Sequence, residues 1–169
     1  ENVRRIDFLP PYYNVSLAPS ESREFKPYFY SRDFNGKYYI ANTEGREPDT
    51  DADYLYVYFT LAARQPVAGG NVYILGALSD WEYGNENTMT FNGERGQYEC
   101  TMLLKQGWYN YVFAFASDKG QQASPALFEG SHYETENDYT VIVYYRNPRE
   151  RYDRVLGTFT ANTLNRISY

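Results

Sequence analysis

The stretch Tyr54-Leu55-Tyr56-Val57-Tyr58-Phe59-Thr60-Leu61 decides the fold. Its odd-numbered positions are aliphatic or aromatic, and its even-numbered positions are three tyrosines and a threonine. Because successive side chains of a strand point to opposite faces, this alternation predicts a half-buried β-strand. The odd-numbered set is expected to face a core. Tyr54, Tyr56 and Tyr58 are expected to form an outward row.

Further strand patterns recur at short spacing and helical patterns are scarce. Apolar and β-branched residues mark further strands, at 71–76, 97–104, 109–116, 139–145 and 153–161. The stretch 109–116 is apolar on both faces, which predicts a strand in the middle of the fold. Asn92-Gly93 is typical of a hairpin turn, and Gly107 is expected to take a positive φ in a turn over 105–108. This pattern predicts an all-β sandwich.

The first fifty residues follow a different pattern, which predicts two parts: an N-terminal extension over 1–50 and the sandwich over 51–169. Pro10-Pro11 is expected to interrupt any regular element. Residues 25–30 and 37–40 flank a turn-like stretch at 31–36, which predicts a hairpin. A lone hairpin is marginal in water, so we expect it to pack on the sandwich.

Composition excludes several classes of function. The 169 residues carry a net charge of −6, and no basic patch of the kind that nucleic-acid binders use is visible. No apolar run approaches the roughly 20 residues of a spanning helix, so no direct membrane insertion is expected. Cys100, the single cysteine, is interpreted as a small buried hydrophobe. The start at Glu1 without a leader suggests a fragment of a longer protein.

No catalytic or metal-binding residue is predicted. His132 is the only histidine, and it is followed at alternating positions by Glu134, Glu136 and Asp138. These residues could form a metal site or a glycosidase-like carboxylate pair, but a solvated loop explains them as well. Catalytic zinc sites usually take more than one histidine, so we expect neither a metal nor a cofactor. The chain is therefore predicted not to be an enzyme.

Aromatic and arginine residues point to binding instead. Twenty tyrosines are present, and tyrosine offers a rigid apolar ring with a polar tip, which suits strands and interfaces. A second cluster combines arginine with tyrosine: Arg146, Arg149, Arg151, Tyr152 and Arg154. It is interpreted either as an interface patch or as a solvated loop with local ion pairs. These residues, with Tyr54, Tyr56 and Tyr58, are the candidate partner-binding set.

A local resemblance carries a second hypothesis. Val72 through Trp81, Tyr98 through Leu104 and Gly107 through Phe113 resemble the glycogen-binding modules of branching enzymes and AMP-activated kinase. The resemblance implies an early-set immunoglobulin-like sandwich. It also implies a glycan site in which Trp81 is a stacking platform and Asn137 a polar contact, although its position after a strand favours a core residue under the loop for Trp81. Glycan binding is therefore the alternative function.

A longer resemblance covers nearly all the chain. The runs Lys105 through Tyr111 and Glu129 through Tyr139, with Pro27 through Tyr30 and Arg151 through Arg154, resemble the C-terminal part of the type IX secretion system plug protein of Bacteroidota. The resemblance implies a non-catalytic periplasmic protein. Its implied partner is the outer-membrane translocon barrel, whose periplasmic mouth such a plug closes.

Overall fold

The structure is a computed structural model, which describes residues 2–30, 33–34, 36–42, 47–120 and 122–163. The chain divides into two compact units, Glu1–Ser131 and His132–Tyr169. This boundary differs from the predicted division at residue 50, because the first fifty residues add strands to the same sheet as the stretch that decides the fold. Among the described residues, no helix is long and apolar enough to cross a membrane.

Strands make up most of the regular secondary structure of the first unit. They are β1 Val3–Leu9, β2 Tyr12–Leu17, β3 Ser20–Glu21, β4 Tyr38–Ile40, β5 Tyr54–Ala62, β6 Gly70–Leu75, β7 Thr88–Asn92, β8 Gln97–Lys105, β9 Gly107–Tyr109 and β10 Val112–Ser117. Two single-turn helices, α1 Pro48–Asp51 and α2 Ala126–Glu129, and a 3-10 turn at Ala77–Ser79 complete it. The predicted all-β sandwich is confirmed.

One strand joins the two layers of the sandwich. Hydrogen bonding runs in the order β1-β2-β5-β8-β7-β6-β10. The end of β7 pairs with β8 and its beginning pairs with β6, so β7 passes from one layer to the other. The core between the layers joins Phe59 and Leu61 to Val72, Ile74 and Phe113. Burying such side chains contributes roughly 1.5–3 kcal/mol each.

The hairpin predicted within the first fifty residues lies elsewhere. Residues 25–30 form no strand, and β4 pairs with β9 instead. Ser31, Arg32 and Asn35 of the predicted turn lie outside the described residues. The observed hairpin is β1–β2, whose two-residue turn is Pro10-Pro11, joined by a cis peptide bond. Pro lacks a backbone donor and therefore fits a turn, so this dipeptide connects two strands instead of ending regular structure.

The strand predicted at 109–116 is divided into β9 and β10. Asn110 donates its N–H to the carbonyl of Lys37 at 3.0 Å, which directs this backbone to the N-terminal region. Gly107 lies in β9 without the positive φ that we predicted. It is needed for close approach, because a Cβ there would lie 2.5 Å from the carbonyl oxygen of Tyr39. β10 is largely buried on both faces, but it ends the hydrogen-bonded path, so the prediction that this stretch lies in the middle of the fold was wrong.

In residues 132–163, the described part of the second unit, the strands form one antiparallel pair, called here the ribbon. It consists of β11, Asp138–Tyr145, and β12, Arg154–Asn162, with a register shift after Val143. Both strands match the predicted stretches closely. Every residue of β11 is exposed, although Val, Ile and Tyr make up most of the strand.

Candidate interaction surfaces

The tyrosine row is the outward face of β5. Tyr54, Tyr56 and Tyr58 are 51%, 36% and 40% exposed, while Phe59 and Leu61 of the same strand are 2% and 0% exposed. The alternation in the sequence therefore corresponds to the two faces of the strand. β2 and β8 flank β5 on either side, so the row lies within a sheet and away from its edges.

Contacts from the flanking strands hold the tyrosine row in place. The ring of Tyr12 meets that of Tyr56 edge to face, with centroids 5.3 Å apart. The hydroxyl of Tyr58 donates to Asn14 Oδ1 at 2.8 Å. Lys105 Nζ lies 5.7 Å from the ring centroid of Tyr54. These contacts limit the rotamers of the rings, so less side-chain entropy remains to be lost on binding.

The arginine–tyrosine cluster lies at the turn of the ribbon. Arg146 makes a bidentate ion pair with Asp153, with N–O distances of 2.7 and 2.8 Å. Arg154 pairs with Glu150 and donates to the hydroxyl of Tyr152 at 3.0 Å. Two of the four arginines thus contact acidic residues of the same turn. Since both arginines and Asp153 are exposed and only Glu150 is partly buried, the pairs order the turn more than they stabilise the fold.

The four arginines of the ribbon turn divide into paired and solvent-facing ones. Within the described part of the chain, no ion pair joins Arg149 or Arg151 to an acidic residue. The two interpretations of the cluster therefore apply to different arginines. Arg146 and Arg154 belong to local pairs, and Arg149 and Arg151 present their charge to solvent. The tyrosine row and this turn belong to different units.

Trp81 offers a partly open ring. It is 55% exposed and has a positive φ of 61° just after the 3-10 turn. The ring packs on Gly36, where a Cβ would lie 2.3 Å from the indole. Among the described residues, no second aromatic ring stacks beside it. Asn137, the other candidate for a glycan site, lies in the second unit, and its side chain donates to the Thr135 carbonyl at 3.0 Å.

Metal-binding clusters and the burial of two titratable groups bear on whether the chain could carry out chemistry. Within residues 2–30, 33–34, 36–42, 47–120 and 122–163, no group of three or more His, Cys, Asp or Glu side chains could hold a metal ion. Burial raises the pKa of the Cys100 thiol to about 11, so little nucleophilic thiolate forms at neutral pH. Burial also raises the pKa of Glu129, which accepts the N–H of Phe113 at 3.4 Å.

The sequence analysis did not predict an apolar surface that β1 and β2 form in the first unit. Ile6 and Phe8 of β1 pair with Val15 and Tyr13 of β2, so they share the face that holds the core. Both are exposed, which shows that the second layer does not reach this edge. A groove of about 310 Å³ begins here and continues to Trp108. The alternation of Tyr13, Val15 and Leu17 in β2 is the signal that could have revealed it.

Comparison with known proteins gives a structural relative without a described activity. The chain resembles the crystal structure of a hypothetical protein from Parabacteroides merdae, with a TM-score of 0.87 and 39% sequence identity. The alignment covers 96% of this chain and 41% of that one, so the chain spans less than half the length of its neighbour. No protein-family profile and no curated protein matches the sequence.

Proposed function

We propose that the chain is a non-catalytic protein-interaction module that binds its partner through the tyrosine row. The observation that carries this proposal is the exposed set of Tyr54, Tyr56 and Tyr58, held by contacts from the flanking strands on a sheet whose other face is core. Tyrosine is enriched at interface hot spots, because its ring supplies apolar area and its hydroxyl a hydrogen bond. Such a surface favours binding over chemistry.

The proposed partner is the outer-membrane translocon barrel of the type IX secretion system, met from the periplasm. Support comes from the resemblance to the plug protein over nearly the whole chain. The structural neighbour comes from Parabacteroides, a member of Bacteroidota, the phylum in which that plug protein occurs. The net charge of −6 suits a barrel mouth lined by basic residues. Arg149 and Arg151 add a second, basic contact on the other unit.

Capture of the partner from solubilised outer membranes tests the proposal. The bait is the full-length protein, and the variant changes Tyr54, Tyr56 and Tyr58 to serine. Truncated hot-spot residues cost ~1–2 kcal/mol each, so the triple variant should retain less than about a tenth of the barrel protein. Tyr83→Ser is the control, because Tyr83 is equally exposed but lies between β6 and β7.

Two results decide the outcome: which protein the bait captures, and whether its capture requires the three tyrosines. A large barrel protein that is lost with the triple variant and kept with Tyr83→Ser supports the proposal. Recovery of no barrel protein by the wild-type bait, or equal recovery by both variants, rejects it. Circular dichroism of the triple variant checks that the sheet is intact.

Glycan binding is a second candidate, favoured by the exposed ring of Trp81. A single ring stacked on a sugar with few polar contacts should give weak, millimolar binding of a maltoheptaose-type ligand. Calorimetry decides the matter: heat that disappears in Trp81→Ala supports a glycan site, and absence of heat at millimolar sugar removes it.

A further inference from the structure

The ribbon has one face that is continuously apolar. Pairs of residues directly opposite each other project to the same side of a two-stranded sheet. On one side these pairs are Tyr139 with Ala161, Val141 with Phe159, and Val143 with Gly157. This side is called the apolar ribbon face. All of its large side chains are exposed.

The opposite side of the ribbon is the more polar one. Thr140 pairs with Thr160, and their hydroxyls lie 3.1 Å apart in a hydrogen bond. Ile142 pairs with Thr158 and Tyr144 with Val155 on the same side. Each of these three pairs contains at least one hydroxyl group. The apolar ribbon face is therefore the side that needs a cover, because an isolated two-stranded pair is marginal in water.

Charge is distributed unequally along the ribbon. The tip, residues 146–154, has four arginines against two acidic residues. The base, residues 132–138, has three acidic residues and no Lys or Arg. Asn162 donates to Glu136 at 2.7 Å and to Asp138 at 2.8 Å, which leaves the negative charge of the base intact because an amide is neutral.

The two charged ends are too far apart to neutralise each other within one ribbon. Eight residues of strand span about 26 Å, which exceeds the Debye length of ~8 Å at physiological salt. Two sheets that pack face to face lie only about 10 Å apart. An antiparallel arrangement of two ribbons would set the basic tip of each on the acidic base of the other.

We propose that the apolar ribbon face docks on the same face of a second copy of this chain, antiparallel and around a two-fold axis through Val141. A parallel arrangement would oppose like charges, so the charge pattern selects the antiparallel one. Gly157 assists the fit, because it leaves open space opposite Val143 into which a side chain of the partner copy can pack. The face offers three residue pairs per copy, far fewer than the roughly 20–30 residues a side of a standard interface, so the proposed dimer is of the weak, transient class.

Cysteine cross-linking tests the docking. The two-fold axis places the two copies of position 141 opposite each other across a gap of about 10 Å, which is too wide for a disulfide but within reach of a short bis-maleimide reagent. Val141→Cys should therefore form a covalent dimer with this reagent at about 100 µM protein, a concentration suited to weak association. Ile142→Cys is the matched control, since it is a similar exposed apolar residue on the opposite side. The native Cys100 is buried and present in both variants. The expected yield of dimer is at least ~10-fold higher for Val141→Cys, the ratio that a 1.4 kcal/mol preference gives.

A charge reversal tests the orientation. Changing Arg149 and Arg151 to glutamate should reduce association of the uncrosslinked chain by ~10-fold or more in analytical ultracentrifugation. Changing Glu134 and Glu136 to arginine in the same chain should restore it, because the pairs are then reversed and not lost. Raising the salt concentration should weaken the wild-type dimer.

Three outcomes overturn the proposal. They are a monomer at every concentration, equal cross-linking by Val141→Cys and Ile142→Cys, and a ribbon that becomes protected from hydrogen exchange only when a different protein is added. Val141 has no part in the proposed barrel contact and the tyrosine row lies in the other unit, so cross-linking at position 141 and barrel capture through the tyrosine row are separate results.

Discussion

Replacing Gly107 with alanine should separate β4 from β9. The added Cβ would lie 2.5 Å from the carbonyl oxygen of Tyr39 and 3.0 Å from the Cα of Ile40. Both contacts are to backbone, which cannot rotate away as a side chain can. The pair of strands must therefore open at its end, where Ile40 faces Gly107.

The magnitude follows from what the pair contains. Three residue pairs join β4 to β9, and the rings of Tyr38 and Tyr109 lie 5.3 Å apart across it. Each hydrogen bond contributes roughly 0.5–1.5 kcal/mol net, and an aromatic pair contributes about the same. Loss of most of these contacts should lower the free energy of unfolding of the first unit by about 2–4 kcal/mol.

A second glycine-to-alanine change provides the control. A Cβ on Gly84 would meet nothing within 4 Å, and Gly84 is not among the residues with positive φ. Gly84→Ala should therefore stabilise by roughly 0.4–1 kcal/mol, because it restricts the unfolded chain. The two variants carry the same chemical change but are expected to shift the free energy of unfolding in opposite directions.

Urea unfolding followed by tryptophan fluorescence measures both variants. The two tryptophans, Trp81 and Trp108, belong to the first unit, so the signal reports on that unit. The midpoint should fall for Gly107→Ala and rise for Gly84→Ala at an unchanged m-value. Equal shifts, or a Gly107→Ala protein within about 0.5 kcal/mol of wild type, would refute the close approach of β4 and β9.

Three further predictions concern the core and its titrating groups. Leu61→Ala should lower the free energy of unfolding by about 2–5 kcal/mol, because Leu61 is fully buried. Tyr58→Ala on the opposite face should lower it by less than about 1.5 kcal/mol. Urea unfolding midpoints measure both changes. The raised pKa of Glu129 means that the folded state holds its proton more tightly, so stability present below the ordinary value of 4.5 is lost as the pH rises through the folded-state pKa. Glu129→Gln should remove this decline in thermal melts between pH 4 and pH 8. An unchanged slope would contradict the burial of the carboxylate. Cys100, with a pKa of about 11, should react with Ellman's reagent at pH 8 only when β8 opens. Labelling should therefore be faster in the destabilised Leu61→Ala variant. Immediate labelling of the native chain would be inconsistent with a buried thiol.

The strands whose faces differ in polarity could be predicted from the sequence. β5 was predicted almost to the residue, because its alternation of tyrosine and aliphatic side chains matches a strand with one buried face. The hairpin after Asn92 was predicted from turn chemistry, and Asn92 Oδ1 does accept the N–H groups of Glu94 and Arg95 at 3.1 and 3.2 Å. Local rules suffice where the partner strand is a neighbour in sequence.

Pairings between distant segments could not be predicted. β2 runs parallel to β5, which follows it by more than thirty residues, and no local pattern encodes that pairing. The same limit explains the missed break at Asn110, whose N–H bonds to Lys37. A backbone group that is satisfied by a remote segment interrupts a strand that local propensity would continue.

The candidate surfaces were predictable in part. The outward position of the tyrosines follows from a period of two, whereas the bracing by Tyr12 and Asn14 depends on the unpredicted pairing of β2 with β5. The arginine cluster was identified by composition. Its division into paired and solvent-facing arginines depends on the geometry of the ribbon turn, which brings Arg146 to Asp153.

Site-specific photo-cross-linking tests the central claim most directly. A photoreactive phenylalanine analogue replaces Tyr56 in the full-length protein in cells of its native host, and in a second strain it replaces Tyr83. If the tyrosine row holds the partner, irradiation should link an outer-membrane barrel protein to position 56 and not to position 83. No adduct at position 56, or adducts of equal yield at both positions, would contradict the role of this face.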